Sequence, residues 1–301
     1  MTVEPNLLAG RVPQFDGPPR RTIELPGLGP LEVRDSGTDG NLPPVLLLHG
    51  WTASADLNWC TAYGPLTKRH RVVTWDQRGH GQRGLRTGRD AGIDDLADDA
   101  AAVATALNIE SAVVVGYSMG GAVAQALWRR HPSVVDGLVL CATAAAFAVT
   151  ADDRRDFRSI EQGIRPARLM EAVGASSAAW RLARWFGDRR AGSASGLSNP
   201  DLDRWAWREI RAGILSSVLS TGVDLGRFDG RELLQSVDVP HAVVACLFDD
   251  VVHTDRQIAL AEQLPAATLH EVHADHAACL ARPDLFVPAL TSALAEVTQL
   301  N

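Results

Sequence analysis

The pentad Gly116-Tyr117-Ser118-Met119-Gly120 sets one serine between two glycines. It directly follows the apolar run 112–115 and directly precedes Gly121-Ala122-Val123-Ala124, so it occupies a turn from a strand into a helix. Small residues on its flanks let strand and helix approach closely, and the strained turn thrusts the serine hydroxyl out above the sheet. A hydroxyl is a poor nucleophile until a base takes its proton. That base should stand late in the chain, beyond the last strand, where His270, His273 and His276 are found. His270 lies within the strand-like run 268–272 and His273 comes at its end, too early to reach across to Ser118. His276, leading into the final helix, is the better candidate. A third group must hold the imidazole in the right tautomer and stabilise its charge. The run 241–248 leads straight into Asp249-Asp250, and Asp249, the first residue off the strand, is preferred to Asp250. The preceding strand ends in Cys141-Ala142-Thr143, with no carboxylate until Asp152.

Acyl transfer also needs two donors aimed at the developing oxyanion. One is the backbone N–H of Met119, just after the nucleophile, at a helix N-terminus. The other comes from the loop after the apolar run 45–48, which reads His49-Gly50-Trp51, and Trp51 N–H is the choice. Gly50 gives the backbone room to approach a substrate, while His49 is read as fixing the loop by a hydrogen bond.

These residues must be carried by a sheet. Short apolar runs at 45–48, 71–75, 112–115 and 135–141 alternate with helical patterns at 94–107 and 121–130, and the rhythm resumes from residue 241 to 297. Strand and helix in alternation predict an α/β fold with a mostly parallel sheet and helices on both faces. Two earlier runs, 22–25 and 31–34, read as an antiparallel edge ribbon. The stretch 143–236 breaks the pattern, with no β-rich run and with Trp180, Trp185, Trp205 and Trp207. It predicts an inserted helical cap over the strands' C-terminal edge, between core segments 1–142 and 237–301. Pro166, Gly187 and the segment 192–200 are expected to separate its helices.

The 301 residues are 46% hydrophobic and 22% charged, as in ordinary globular proteins, and the formal charge of -7 argues against a nucleic-acid partner. Pairs such as Arg154-Arg155 and Arg189-Arg190 sit near acidic residues and read as solvated helix faces. Cys60, Cys141, Cys246 and Cys279 lie far apart with no metal-ligand spacing. Read as reduced thiols, they suit the cytoplasm. Residues 1–10 lack a basic start and a long apolar stretch, so no signal peptide is expected, nor a membrane helix.

With these segments in place, the chain resembles the α/β-hydrolase superfamily from about residue 42 to 290, outside the cap. His49-Gly50-Trp51, Asp76-Gln77-Arg78-Gly79-His80-Gly81, Gly116-Tyr117-Ser118-Met119-Gly120-Gly121 and the Asp249 and His276 segments fall in that family's order. The elbow resembles those of esterases, cofactor-free haloperoxidase-like perhydrolases and carbon–carbon bond hydrolases. A serine at 118 argues against epoxide hydrolases and haloalkane dehalogenases, which carry an aspartate there. The resemblance implies a serine hydrolase that cleaves a carboxylic ester by a Ser118–His276–Asp249 triad, with no cofactor and no metal. Its substrate would be a small ester or related acyl compound, hydrophobic if the Trp-rich cap shapes the pocket. The perhydrolases and carbon–carbon hydrolases use the same triad, and some ligand receptors on this fold retain it.

Overall fold

The computed structural model describes residues 15–37, 42–191 and 199–299, with the backbone alone for 185–191. Residues 1–10 and most of the segment 192–200 therefore lie outside the described residues, as do the side chains of Trp185, Arg189 and Arg190.

In chain order the elements are β1 (Arg20–Leu25), β2 (Gly29–Asp35), β3 (Leu42–Leu48), α1 (Ala55–Trp59), α2 (Tyr63–Thr67), β4 (His70–Trp75), α3 (Ile93–Ala106), β5 (Ala112–Tyr117), α4 (Met119–Arg130) and β6 (Val135–Cys141). Then follow α5 (Ala151–Ala172), α6 (Ser176–Ala191), α7 (Pro200–Ile210), α8 (Leu215–Arg227) and α9 (Arg231–Leu234). The chain closes with β7 (His241–Cys246), α10 (Thr254–Gln263), β8 (Thr268–Val272), α11 (Ala278–Ala281) and α12 (Pro283–Gln299). One sheet runs in the order β1-β2-β4-β3-β5-β6-β7-β8. The β1–β2 and β2–β4 pairs are antiparallel and every later pair is parallel. The expected α/β-hydrolase fold, with an antiparallel ribbon at one edge, is what the chain adopts.

Alternation along each strand divides the core in two, because successive side chains leave opposite faces. Leu46, Leu48, Val114, Leu138 and Leu140 pack with Leu96, Ala100 and Val103 of α3 and Val123 of α4. Val45, Leu47, Val113, Val115 and Val139 pack on the other face with Trp59, Tyr63, Phe286 and Leu290. All residues of β5 and β7 are buried, which is why they read as continuous apolar runs.

Between β6 and β7 the chain forms the helices α5 to α9, and its breaks fall elsewhere than at Pro166 and Gly187. Pro166 lies inside α5, and Gly187 lies within α6. The break comes instead at Gly174, in the left-handed region at φ +75, whose N–H returns to the Glu171 carbonyl. A glycine there ends a helix without steric cost, whereas Pro166 forgoes one backbone bond within a helix that packs along α8. α7 opens with Pro200 at its first turn and Asn199 accepting from the N–H groups of Asp201 and Leu202. Trp180 and Trp205 are buried in packing. Trp180 joins Leu215, Val218 and Ala167, and its Nε1 donates to the Gly213 carbonyl at 3.1 Å.

Candidate active site

Ser118 sits between β5 and α4 at φ 54 and ψ -118, a backbone that L side chains rarely adopt. Local strain of this kind costs about 1–3 kcal/mol and persists only where the surroundings impose it. Here Ser118 N donates to the Cys141 carbonyl on β6 at 2.9 Å, and its own carbonyl accepts from Gly121 N and from the Thr143 hydroxyl. The flanking glycines leave no room for a side chain. A Cβ on Gly116 would lie 2.2 Å from the Gly120 carbonyl oxygen, and one on Gly120 would lie 2.1 Å from the Leu48 oxygen.

His276 arrives from the segment after β8. Its Nε2 lies 3.0 Å from Ser118 Oγ and its Nδ1 lies 2.6 Å from Asp249 Oδ2. An ionised carboxylate only accepts, so Nδ1 carries the proton and Nε2 offers its lone pair to the serine hydroxyl. The Tyr117 hydroxyl donates to the His276 carbonyl at 2.8 Å, and the two rings meet edge-on at 5.7 Å. Burial pushes the Tyr117 phenol well up, so that donor stays protonated. The side chain of His276 is 22% exposed while that of Asp249 is fully covered, so the imidazole is the member open to solvent.

Asp249 accepts at both oxygens. Val251 N and Val252 N donate to Oδ1 at 2.9 Å each, and Gln257 Nε2 donates to Oδ2 at 2.9 Å. Gln257, fully buried on α10, also accepts from Cys246 N and donates to the Val252 carbonyl. Asp250 is exposed, and His273 packs against the Phe248 ring. His270 Nε2 lies 3.2 Å from Glu296 Oε2.

The loop His49-Gly50-Trp51 passes directly over the elbow, since a Cβ on Gly50 would lie 3.2 Å from Ser118 Cβ. Gly50 N donates to Asn58 Oδ1 at 2.7 Å, and Asn58 Nδ2 donates to Cys279 Sγ at 3.4 Å. His49 Nδ1 donates to the Gly50 carbonyl and its Nε2 accepts from Gln77 N at 2.8 Å. Burial pushes His49 down to about 4, which keeps it neutral in this loop-fixing role. Met119 opens α4, so its N–H has no acceptor within the helix.

Sequence reasoning named Ser118, Asp249, His276, Trp51 and Met119, and the fold brings their segments to one place. It missed Gln257, Asn58 and Thr143, polar groups that face inward only after folding. A signal existed for Asn58, a lone amide between Leu57 and Trp59 in a buried helix.

The four cysteines are free and buried. Burial pushes every thiol up, that of Cys279 to about 11, which makes none of them a ready nucleophile. Among the described residues no group of three or more His, Cys, Asp or Glu side chains could hold a metal ion. Among the described residues no helix is long and apolar enough to cross a membrane.

A family model described as the alpha/beta hydrolase fold matches residues 43–283. The chain is 30% identical over 256 residues to a non-heme chloroperoxidase of Streptomyces lividans, spanning 82% of this chain and 90% of that protein. It is 26% identical over 258 residues to 3-oxoadipate enol-lactonase 1 of Acinetobacter baylyi, spanning 85% and 90%. The solved esterase from Exiguobacterium antarcticum superposes with a TM-score of 0.74 at 19% identity, over 93% of this chain and all of that one.

Proposed function

Because the chain belongs to the family of the alpha/beta hydrolase fold and is a hydrolase, we propose that it cleaves carboxylic esters through Ser118, His276 and Asp249. The observation that carries this reading is the continuous path from Ser118 Oγ through His276 to Asp249 Oδ2.

In the proposed reaction Ser118 Oγ attacks the ester carbonyl carbon while His276 Nε2 takes the hydroxyl proton. The negative charge moves to the carbonyl oxygen, to which the N–H groups of Met119 and Trp51 donate hydrogen bonds. His276 then returns the proton to the leaving alkoxide, the carbon–oxygen bond breaks, and an acyl-serine remains. Water, deprotonated by the same nitrogen, attacks the acyl carbon; the acyl carbon–Oγ bond then breaks as His276 returns that proton to Ser118 Oγ, and the acid leaves. Asp249 holds the tautomer and stabilises the imidazolium between the two proton transfers. Neither metal nor organic cofactor enters this scheme.

The inserted helices act in this reading as a cap. α7 and α8 meet the loops that follow β3 and β4: Ser54 Oγ donates to Glu209 Oε2 at 3.1 Å, and Ile214 N donates to the Gly79 carbonyl at 2.9 Å. The substrate is a small, largely apolar ester, and reduced buried thiols suit a cytoplasmic enzyme. The enol-lactonase relative acts, by its name, on a cyclic ester.

The test is a panel of p-nitrophenyl esters of increasing acyl length, run on wild type and Ser118→Ala together. Serine-dependent turnover with one preferred acyl length is expected. Folded wild-type protein that turns over no ester would overturn the ester reading and favour carbon–carbon bond hydrolysis.

A further inference from the structure

Beside α8, on the loop that joins β4 to α3, lies a cleft of about 480 Å³ that neither Ser118 nor His276 lines. Its floor is backbone held in place: the Gly79 carbonyl accepts from Ile214 N, and Gly79, at φ +78, packs against the Ser217 side chain. Its rim is cationic. Arg86 and Arg89 come from the core loop and Arg168 from α5, with Asp90 as the only carboxylate among the described lining residues. Thr87 and Ser217 add hydroxyls.

The state of each cation matters more than the number. Arg86 is oriented by the Gly81 and Ala212 carbonyls at 3.0 and 2.9 Å, which fix the guanidinium without cancelling its charge. Arg168 is paired with Asp90. Among the described residues no carboxylate pairs with Arg86 or Arg89. Glu171, one turn beyond Arg168 on α5, is taken by the N–H and hydroxyl of Ser216. The lining thus carries two positive charges in excess (Arg86, Arg89 and Arg168 against Asp90) around a volume that suits a small metabolite. Guanidinium groups converging from two segments match anionic oxygens that present several acceptors at once.

We propose that this cleft binds a small polyanion, a phosphate ester or a di- or tricarboxylate, held by Arg86, Arg89 and Arg168 across the seam between core and inserted helices. The ligand is distinct from the ester, because the cleft shares no residue with the Ser118–His276–Asp249 path. The binding does not depend on the hydrolytic reading.

Calorimetric titration of the full chain with pyrophosphate and with citrate, at constant ionic strength, tests the site. One saturable event per chain with a Kd of about 1 mM or tighter is expected for at least one anion. The better binder tells phosphate from carboxylate chemistry. Arg89→Ala and Arg168→Ala, both at exposed positions, should each weaken it by about fivefold or more. Ser118→Ala should leave it unchanged. No saturable binding by either anion up to about 10 mM, or equal binding by wild type and the double arginine variant, would overturn the proposal.

Discussion

The indole Nε1 of Trp51 donates to the backbone carbonyl of Val218 at 2.7 Å, joining the loop after β3 to the first turn of α8. One turn further on, Gly222 leaves the space that the indole fills, since a Cβ there would lie 2.5 Å from its Cζ2. The residue proposed to offer its N–H to the oxyanion is therefore held from the side of the inserted helices. Trp51→Phe keeps a ring but loses the donor, and should cost about 1 kcal/mol of stability. Hydrogen exchange in α8 should quicken and kcat should fall. Unchanged exchange in α8 would show that the bond does not couple the two segments.

Ser118→Ala should remove hydrolysis and fluorophosphonate labelling, with kcat down by at least about 10⁴-fold. The circular dichroism spectrum should match the wild type, because the backbone bonds of Ser118 to Cys141 and Gly121 involve no side chain. Retained turnover in a contaminant-free preparation would exclude Ser118 as the nucleophile.

Gln257 is a positioning residue for Asp249. Gln257→Glu preserves shape, and while protonated it can still donate to Asp249 Oδ2; once ionised it faces that carboxylate as a like charge. The variant should approach wild-type kcat at low pH and lose about 10- to 100-fold as pH rises. A pH profile parallel to that of the wild type would assign Gln257 to packing alone.

Asn58 holds Gly50 N–H through its Oδ1, so an acceptor at this position should matter more than an amide. Asn58→Asp keeps the acceptor, whereas Asn58→Ala removes it. The alanine variant should lose about tenfold or more in kcat with little change in KM, because it loosens the loop whose Trp51 N–H is proposed to meet the oxyanion. Equal losses in both variants would point to packing against Cys279 instead.

His49 and His80 are fully buried with rings 5.5 Å apart, and burial pushes them down to about 4 and about 3. In the unfolded chain both titrate near 6.5, so below that pH the unfolded state binds protons the folded state refuses. Stability present above pH ~6.5 is therefore lost as pH falls toward about 4, by up to about 1.4 kcal/mol per pH unit for each histidine. Urea midpoints at pH 7, 6 and 5 should decline in that order. His80→Asn should flatten the decline, and an unaltered slope would assign it to other groups.

Much of this site could be read before folding was considered. The elbow is legible because a turn that must be strained and closely packed accepts only small residues two places before and after its serine, where a Cβ on Gly116 or Gly120 would meet backbone oxygens. Asp249 and His276 were legible by position, each following a strand of the parallel sheet. Helix breaks were less so. Pro166 suggested an end and Gly187 another, yet the packing of α5 along α8 carries the chain through the first, and Gly174 makes the actual turn.

The sequence by itself determined the α/β class, the strands that cross the core, and which residue types could do chemistry, because hydrophobic period and turn chemistry are local properties of the chain. Tertiary structure alone decided which polar side chains serve those residues. Gln257 reaches Asp249 from the next helix, Asn58 takes Gly50 N–H from across a loop, and Val218 holds Trp51 from 167 residues away. The physical reason is that a buried amide or indole N–H is costly to leave unpaired, so it pairs where the packed core offers a partner. That partner is set by the meeting of distant segments, which no local pattern records.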